Sequence, residues 1–170
     1  MGQIRKGIPA DMDRIMAIVQ GTIHVMEENQ NDQWTEEYPN QEVFRADIYK
    51  ENLYVAINDQ NEPVGMITVD QEQTPEYEYI DWQSNQEAYI FHRIAVDVKG
   101  RGEGIASNLI QHAEKIAVQE GVPYMRTDTY SKNKKAQALF EKNGYKKVGT
   151  IPTLFGKNQP FYAYDKILSK

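Results

Sequence analysis

The feature that most constrains this chain is an apolar run from Ala88 to Val96 that passes through Asp97-Val98-Lys99-Gly100-Arg101-Gly102-Glu103-Gly104 into a segment with Ile105, Leu109, Ile110, Ala113, Ile116 and Ala117. The run has the length and content of a strand, and the recurrence every three or four residues after it marks one face of a helix. Gly121 sits where a left-handed residue would end that helix. Glycines at such a junction let backbone approach an anion closely. The first amides of the helix lack intrahelical partners and lie at the positive end of its dipole. The turn is predicted to hold an anion.

Two common anions are disfavoured by what the turn lacks. It has no Gly-Lys-Ser/Thr ending, so it does not fit the phosphate loop of nucleoside triphosphatases. Counting from either glycine pair, Gly100 and Gly102 or Gly102 and Gly104, the third glycine of the dinucleotide fingerprint is replaced, by Ile105 or Ser107.

The rest of the chain reads as one domain over residues 1–170. Met12, Ile15, Met16, Val19, Ile23 and Met26 place a helix over about 10–28, with Pro9 near its start. A second helix carries Val43, Phe44 and Ile48. Leu53 to Ile57 and Val64 to Val69 form a hairpin across the turn-rich Asn58 to Pro63. After the central strand and helix come a strand at Tyr124 to Tyr130, a short helix at Asn133 to Lys142, and strands at Tyr145 to Ile151 and Phe161 to Leu168. Asp70 to Asn85, with Glu72, Glu76, Glu78 and Asp81, reads as a polar loop or ragged strand ends.

Composition removes several chemistries. With no cysteine there is no disulfide, thiolate nucleophile or cysteine-held zinc, and His24, His92 and His112 lack paired ligand spacing, so no metal is expected. The N-terminus lacks a signal-like apolar stretch and no run approaches the roughly 18 apolar residues of a membrane span. A cytoplasmic protein without a membrane partner is expected. A formal charge of −6 argues against nucleic acid and suits a cationic partner.

Arg101-Gly102-Glu103-Gly104-Ile105-Ala106, preceded by Ile94-Ala95-Val96, resembles the pyrophosphate-binding motif of the GNAT acetyltransferases. Asn133-Lys134-Lys135-Ala136-Gln137-Ala138-Leu139-Phe140-Glu141-Lys142-Asn143-Gly144-Tyr145 resembles that family's downstream helix, at the expected separation. The resemblance implies an α/β (α+β) fold: a mixed, mostly antiparallel sheet of six to seven strands, about four flanking helices, and a parallel pair at the centre that splays. It also implies acetyl-coenzyme A as co-substrate. Main-chain amides of Arg101, Gly102, Glu103, Gly104, Ile105 and Ala106 would meet the pyrophosphate. Ile94, Ala95 and Val96 would pair with the pantetheine arm, and Asn133, Ala136 and Phe140 would lie beside it.

Transfer of an acetyl group to an amine needs a neutral nucleophile, a polarised thioester carbonyl and a proton for the leaving thiolate. By resemblance the Val96 amide, or a neighbour's, meets the thioester oxygen. The family's usual tyrosine donor is replaced by Phe140, leaving Tyr130, Tyr145 or water. His92 is a candidate base, since an unperturbed histidine titrates near neutrality; Glu87 and Asp128 compete. Trp34, Tyr38, Glu72 and Tyr79 are candidates for the acceptor side, and the net acidity of the chain favours a small cationic amine over a peptide. Direct transfer without a covalent enzyme intermediate is expected; an inactive coenzyme A-binding regulatory module and a protein N-terminal acetyltransferase are the alternatives. An exposed edge strand such as Phe161 to Tyr164 would allow a homodimer.

Overall fold

The spacing from Met12 to Met26 closes into α1 (Met12–Glu28), entered through a single 3-10 turn at Pro9–Asp11. One face of α1 buries Ile15, Ile18, Val19, Thr22 and Ile23. The Asp11 carboxylate fixes the entry. It accepts the Ile8 amide at 2.8 Å and both terminal nitrogens of Arg5 at 2.9 and 3.0 Å. Arg5 belongs to a short strand, β1 (Gln3–Lys6), which escapes sequence analysis because four residues with one apolar side chain carry no readable period. These observations come from a computed structural model that describes residues 3–168.

The further elements are α2 (Gln41–Tyr49), β2 (Leu53–Ile57), β3 (Pro63–Asp70), β4 (Tyr89–Val96), α3 (Ile105–Gln119), β5 (Tyr124–Tyr130), α4 (Lys134–Lys142), β6 (Lys146–Ile151) and β7 (Phe161–Ile167). Asn40 caps α2 by accepting the Val43 amide, and Asn133 caps α4 by accepting the Ala136 amide, each at 3.1 Å. Among the described residues the strands form one seven-stranded sheet in the order β1-β2-β3-β4-β5-β7-β6. The β4–β5 pair is parallel, and the paired registers of β1–β2, β2–β3, β5–β7 and β6–β7 are antiparallel. None of the helices described is long and apolar enough to cross a membrane.

The chain divides into two compact units, Met1–Val69 with His92–His112 and Asp70–Phe91 with Ala113–Lys170. In the first, Ile15, Val19, Phe44, Leu53, Val55, Met66 and Ala95 form the core, with Trp34 buried among them. Gly65 matters to this packing: a Cβ there would lie 3.1–3.2 Å from Ile105, the Ala95 carbonyl and Leu109, so a larger residue would push the start of α3 back by a few tenths of an ångström. In the second unit, Tyr77, Ile90, Tyr124, Tyr130, Ile151 and Phe161 form the core.

One expectation is corrected. The segment Phe161 to Tyr164 is no edge: β7 pairs with β5 along one side and with β6 along the other. Phe161, Ala163, Tyr164 and Asp165 are buried, as befits an interior strand. The edge on this side of the sheet is β6, where Lys146 and Lys147 are exposed, and charged edges of this kind resist pairing with another chain.

Ile15 is fully buried, so Ile15→Ala is expected to cost about 2–5 kcal/mol of unfolding free energy. Loss of the α2 cap in Asn40→Ala should cost only about 1 kcal/mol. Urea denaturation of both variants checks the ordering.

Candidate functional site

The turn after β4 is built from three locally determined pieces. Asp97 accepts the Lys99 amide at 3.0 Å and closes a 3-10 turn at Val98–Gly100. Its other oxygen accepts from Arg14 of α1 at 2.9 Å. Gly102 and Gly104 then take φ of +89° and +81°, values that cost a residue with a Cβ but not glycine. A Cβ at either position would meet nothing within 4 Å. The start of α3 therefore has open space over two glycines, with its first amides unpaired within the helix. A diphosphate group fits this chemistry. Gly102, Glu103 and Gly104 are exposed, and Arg101, Ile105 and Ala106 are half-buried.

Arg101 is placed differently from its backbone neighbours. Its guanidinium turns back, donating to the Val96 carbonyl and to the Thr22 hydroxyl of α1, both at 3.3 Å. Burial holds its pKa below the ordinary arginine value, partly offset by Asp97. The side chain staples the turn to the strand end and leaves Gly102, Glu103 and Gly104 exposed.

Upstream of the turn, β4 is not a regular strand. Its burial alternates poorly: Ile90 and Phe91 are buried, His92, Arg93 and Ile94 are half-buried, and Ala95 and Val96 are buried. Within this stretch Arg93 takes a φ of +49°. A left-handed non-glycine residue costs about 1–2 kcal/mol and persists only where its surroundings hold it. Here they do. Arg93 forms a fork with Asp47 of α2, Nε to Oδ2 and Nη2 to Oδ1, each at 2.9 Å, and its Nη1 donates to the Tyr38 hydroxyl at 2.9 Å. Asp47 is 5% exposed and also accepts from the Thr68 hydroxyl of β3 at 2.8 Å. Neither Arg93 nor Asp47 is among the residues that the sequence motifs point to. A signal existed, since Arg93 is the first Lys or Arg after Lys50 and falls inside an apolar strand, where a charge must be paired.

In the second unit, β4 and β5 pair in register only at Tyr89 with Met125 and Ile90 with Arg126. One residue further, the Thr127 hydroxyl donates to the Phe91 carbonyl at 2.9 Å. Phe140 of α4 is 2% exposed and packs edge-on against Phe91 and Tyr164, with ring centroids 5.3 and 5.5 Å apart. Tyr145 packs edge-on against Phe91 and donates its hydroxyl to Glu114 at 2.8 Å. Burial first, and Glu114 second, hold its pKa well above the ordinary tyrosine value. Tyr130 is fully buried, its hydroxyl 3.4 Å from the Asn158 amide oxygen. Asn133 and Ala136 are half-buried at the start of α4.

The candidate acceptor residues divide by environment. Trp34 is 6% exposed and belongs to the core, Tyr38 is half-buried on Arg93, and Glu72 and Tyr79 are exposed, Tyr79 at 87%. The polar segment holding Glu72 is ordered by buried side chains. Arg126 lies 4.3 Å over the Trp82 ring and donates to Gln73 at 2.7 Å and to the Ser84 carbonyl at 2.9 Å. Asp165 accepts from the Gln83 backbone and from Tyr124. Of the candidate bases, His92 sits half-buried beside Arg93, Glu87 accepts from Gln71 at 2.6 Å, and Asp128 accepts from Tyr77.

Residues 23–145 match the model of the acetyltransferase (GNAT) family. The chain belongs to the GNAT acetyltransferases. Among solved structures, a GNAT-family acetyltransferase of Streptococcus agalactiae is 30% identical, with a TM-score of 0.86 over 99% of this chain and 96% of its own. A Staphylococcus aureus protein described as a candidate acetyltransferase is 34% identical, with a TM-score of 0.77 over 99% and 100%. A Listeria monocytogenes GNAT acetyltransferase, 20% identical with a TM-score of 0.75 over 98% and 95%, shares the fold. No curated protein matches this GNAT sequence.

Because the Tyr145 hydroxyl is committed to Glu114 and keeps its proton, Tyr145→Phe is expected to lower stability by about 1–3 kcal/mol. Acetyl transfer should change by less than about twofold, well under the effect of a removed general acid. Thermal unfolding and a thiol-release assay read the two effects separately.

Proposed function

We propose that residues 1–170 act as one domain, an N-acetyltransferase that moves an acetyl group from acetyl-coenzyme A directly to a primary amine. The observation that carries this reading is the open turn at Gly102 and Gly104 leading into α3, in a chain of the GNAT family. Main-chain amides from Arg101 to Ala106 would hold the pyrophosphate. The thioester supplies an activated acetyl group. The Val96 amide is assigned the role of donor to its oxygen, and Ile94, Ala95, Asn133, Ala136 and Phe140 the pantetheine arm, by resemblance to the family.

Phe140 cannot give a proton, so Tyr130 or water is the proposed source for the departing thiolate. His92 is the proposed base. A small cationic amine is the favoured acceptor, because Glu51 to His92 holds nine carboxylates and no Lys or Arg. Phe140 also supports a second reading, a coenzyme A-binding module without catalysis.

Calorimetric titration with acetyl-coenzyme A tests the donor site. Micromolar binding, about −8 kcal/mol, is expected for the wild type. Gly104→Trp should abolish it, since the bulky ring fills the space over the turn and a side chain resists φ of +81°. A folded wild type that does not bind overturns the reading. Amine-dependent thiol release separates the enzyme from the module.

A further inference from the structure

We propose that Arg93 is a positioning residue that ties the acceptor-side loop to the acetyl-donor strand, an inference that rests on the N-acetyltransferase reading above. Arg93 is the left-handed residue of β4, and Ile94, Ala95 and Val96 follow it directly. At about 3.3 Å per residue, the Val96 amide lies roughly 10 Å along the strand. Whatever fixes the kink at Arg93 fixes the direction in which that amide is presented.

Two residues fix it through three hydrogen bonds, Asp47 of α2 and Tyr38 of the loop before α2. Asp47 holds two guanidinium nitrogens and is itself held by Thr68. This pair alone would satisfy the buried charge. The third contact reaches Tyr38, in the loop between α1 and α2. That loop is tight: Thr35 and Tyr38 exchange backbone hydrogen bonds of 2.8 and 3.2 Å, so the Tyr38 ring is held with the residues around it. Trp34, one residue before, is sunk in the core. Through Nη1 the loop is anchored to the donor strand itself. Lysine could replace the charge but not a planar fork with a third donor on its far side. Transfer between two bound molecules falls steeply when either is misplaced, about 100-fold per ångström in unfavourable cases. A loop tied to the strand that presents the thioester removes one such freedom.

The test compares Tyr38→Phe, which deletes one hydroxyl and leaves the Asp47 pair, with Arg93→Lys. Both are assayed for acetyl-coenzyme A affinity by calorimetry and for thiol release with spermidine, long enough to use the loop, and with hydroxylamine, too small to need it. Acetyl-coenzyme A affinity is expected to stay within about twofold in Tyr38→Phe, and the hydroxylamine rate to fall by a smaller factor than the spermidine rate. The KM for spermidine should rise about tenfold, the worth of one hydrogen bond. Arg93→Lys should move the same ratio further. If both amines lose rate by one factor, or neither changes, in variants that fold and bind, Arg93 only supports the fold and the inference is overturned. A wild type that binds no acetyl-coenzyme A overturns the parent reading and this one with it. A wild type that turns over both amines, with variants indistinguishable from it, overturns this one alone.

Discussion

Buried backbone amides and carbonyls must find partners, and strand β4 meets that demand by different means along its length. At Tyr89 and Ile90 it pairs with β5. At Phe91 its carbonyl takes a side-chain hydroxyl from Thr127. At Arg93 the backbone leaves the extended region, and just past the strand the Asp97 amide donates to the Val64 carbonyl at 2.8 Å. The strand then gives way to glycines and to the start of α3. The parallel ladder with β5 thus covers only the start of β4, and the rest of the strand is held by side chains and by the turn that follows it.

Charge burial is the second organising constraint. Asp47, Arg126 and Asp165 are each under a tenth exposed, and each is surrounded by several polar partners. Pairs of this kind add little net stability compared with apolar residues of the same volume, but breaking one is costly, so they specify geometry more than they stabilise. Arg93 with Asp47 sets the kink of β4. Arg126 and Asp165 order the acid-rich segment around Gln73, Gln83 and Ser84, which composition alone marks as a solvated loop.

Phe140 marks where this chain departs from the family pattern. The position has no hydroxyl, and the ring is closed into contacts with Phe91 and Tyr164. The nearest phenols are committed: Tyr145 donates to Glu114, and Tyr164 faces Glu141 at 3.4 Å, with burial first and Glu141 second pushing its pKa up to about 12. Such phenols hold their protons through neutral pH.

Much of the architecture was legible from residue order. Apolar period placed α1 and α3, apolar and aromatic runs placed all strands but β1, and the glycines placed the turn between β4 and α3. These are local properties, set by which side chains repeat and which backbone angles a residue tolerates. The tertiary structure decided the rest, because it depended on partners distant in the chain. That β7 is interior follows from β6 folding back along it, which no period in Phe161 to Tyr164 encodes. That Trp34 is core while Tyr79 is exposed follows from what packs above each. Arg93 is the sharpest case: its charge was visible in the sequence, but its left-handed backbone and its clasp on Asp47 and Tyr38 exist only once residues 46 and 55 positions away have come together.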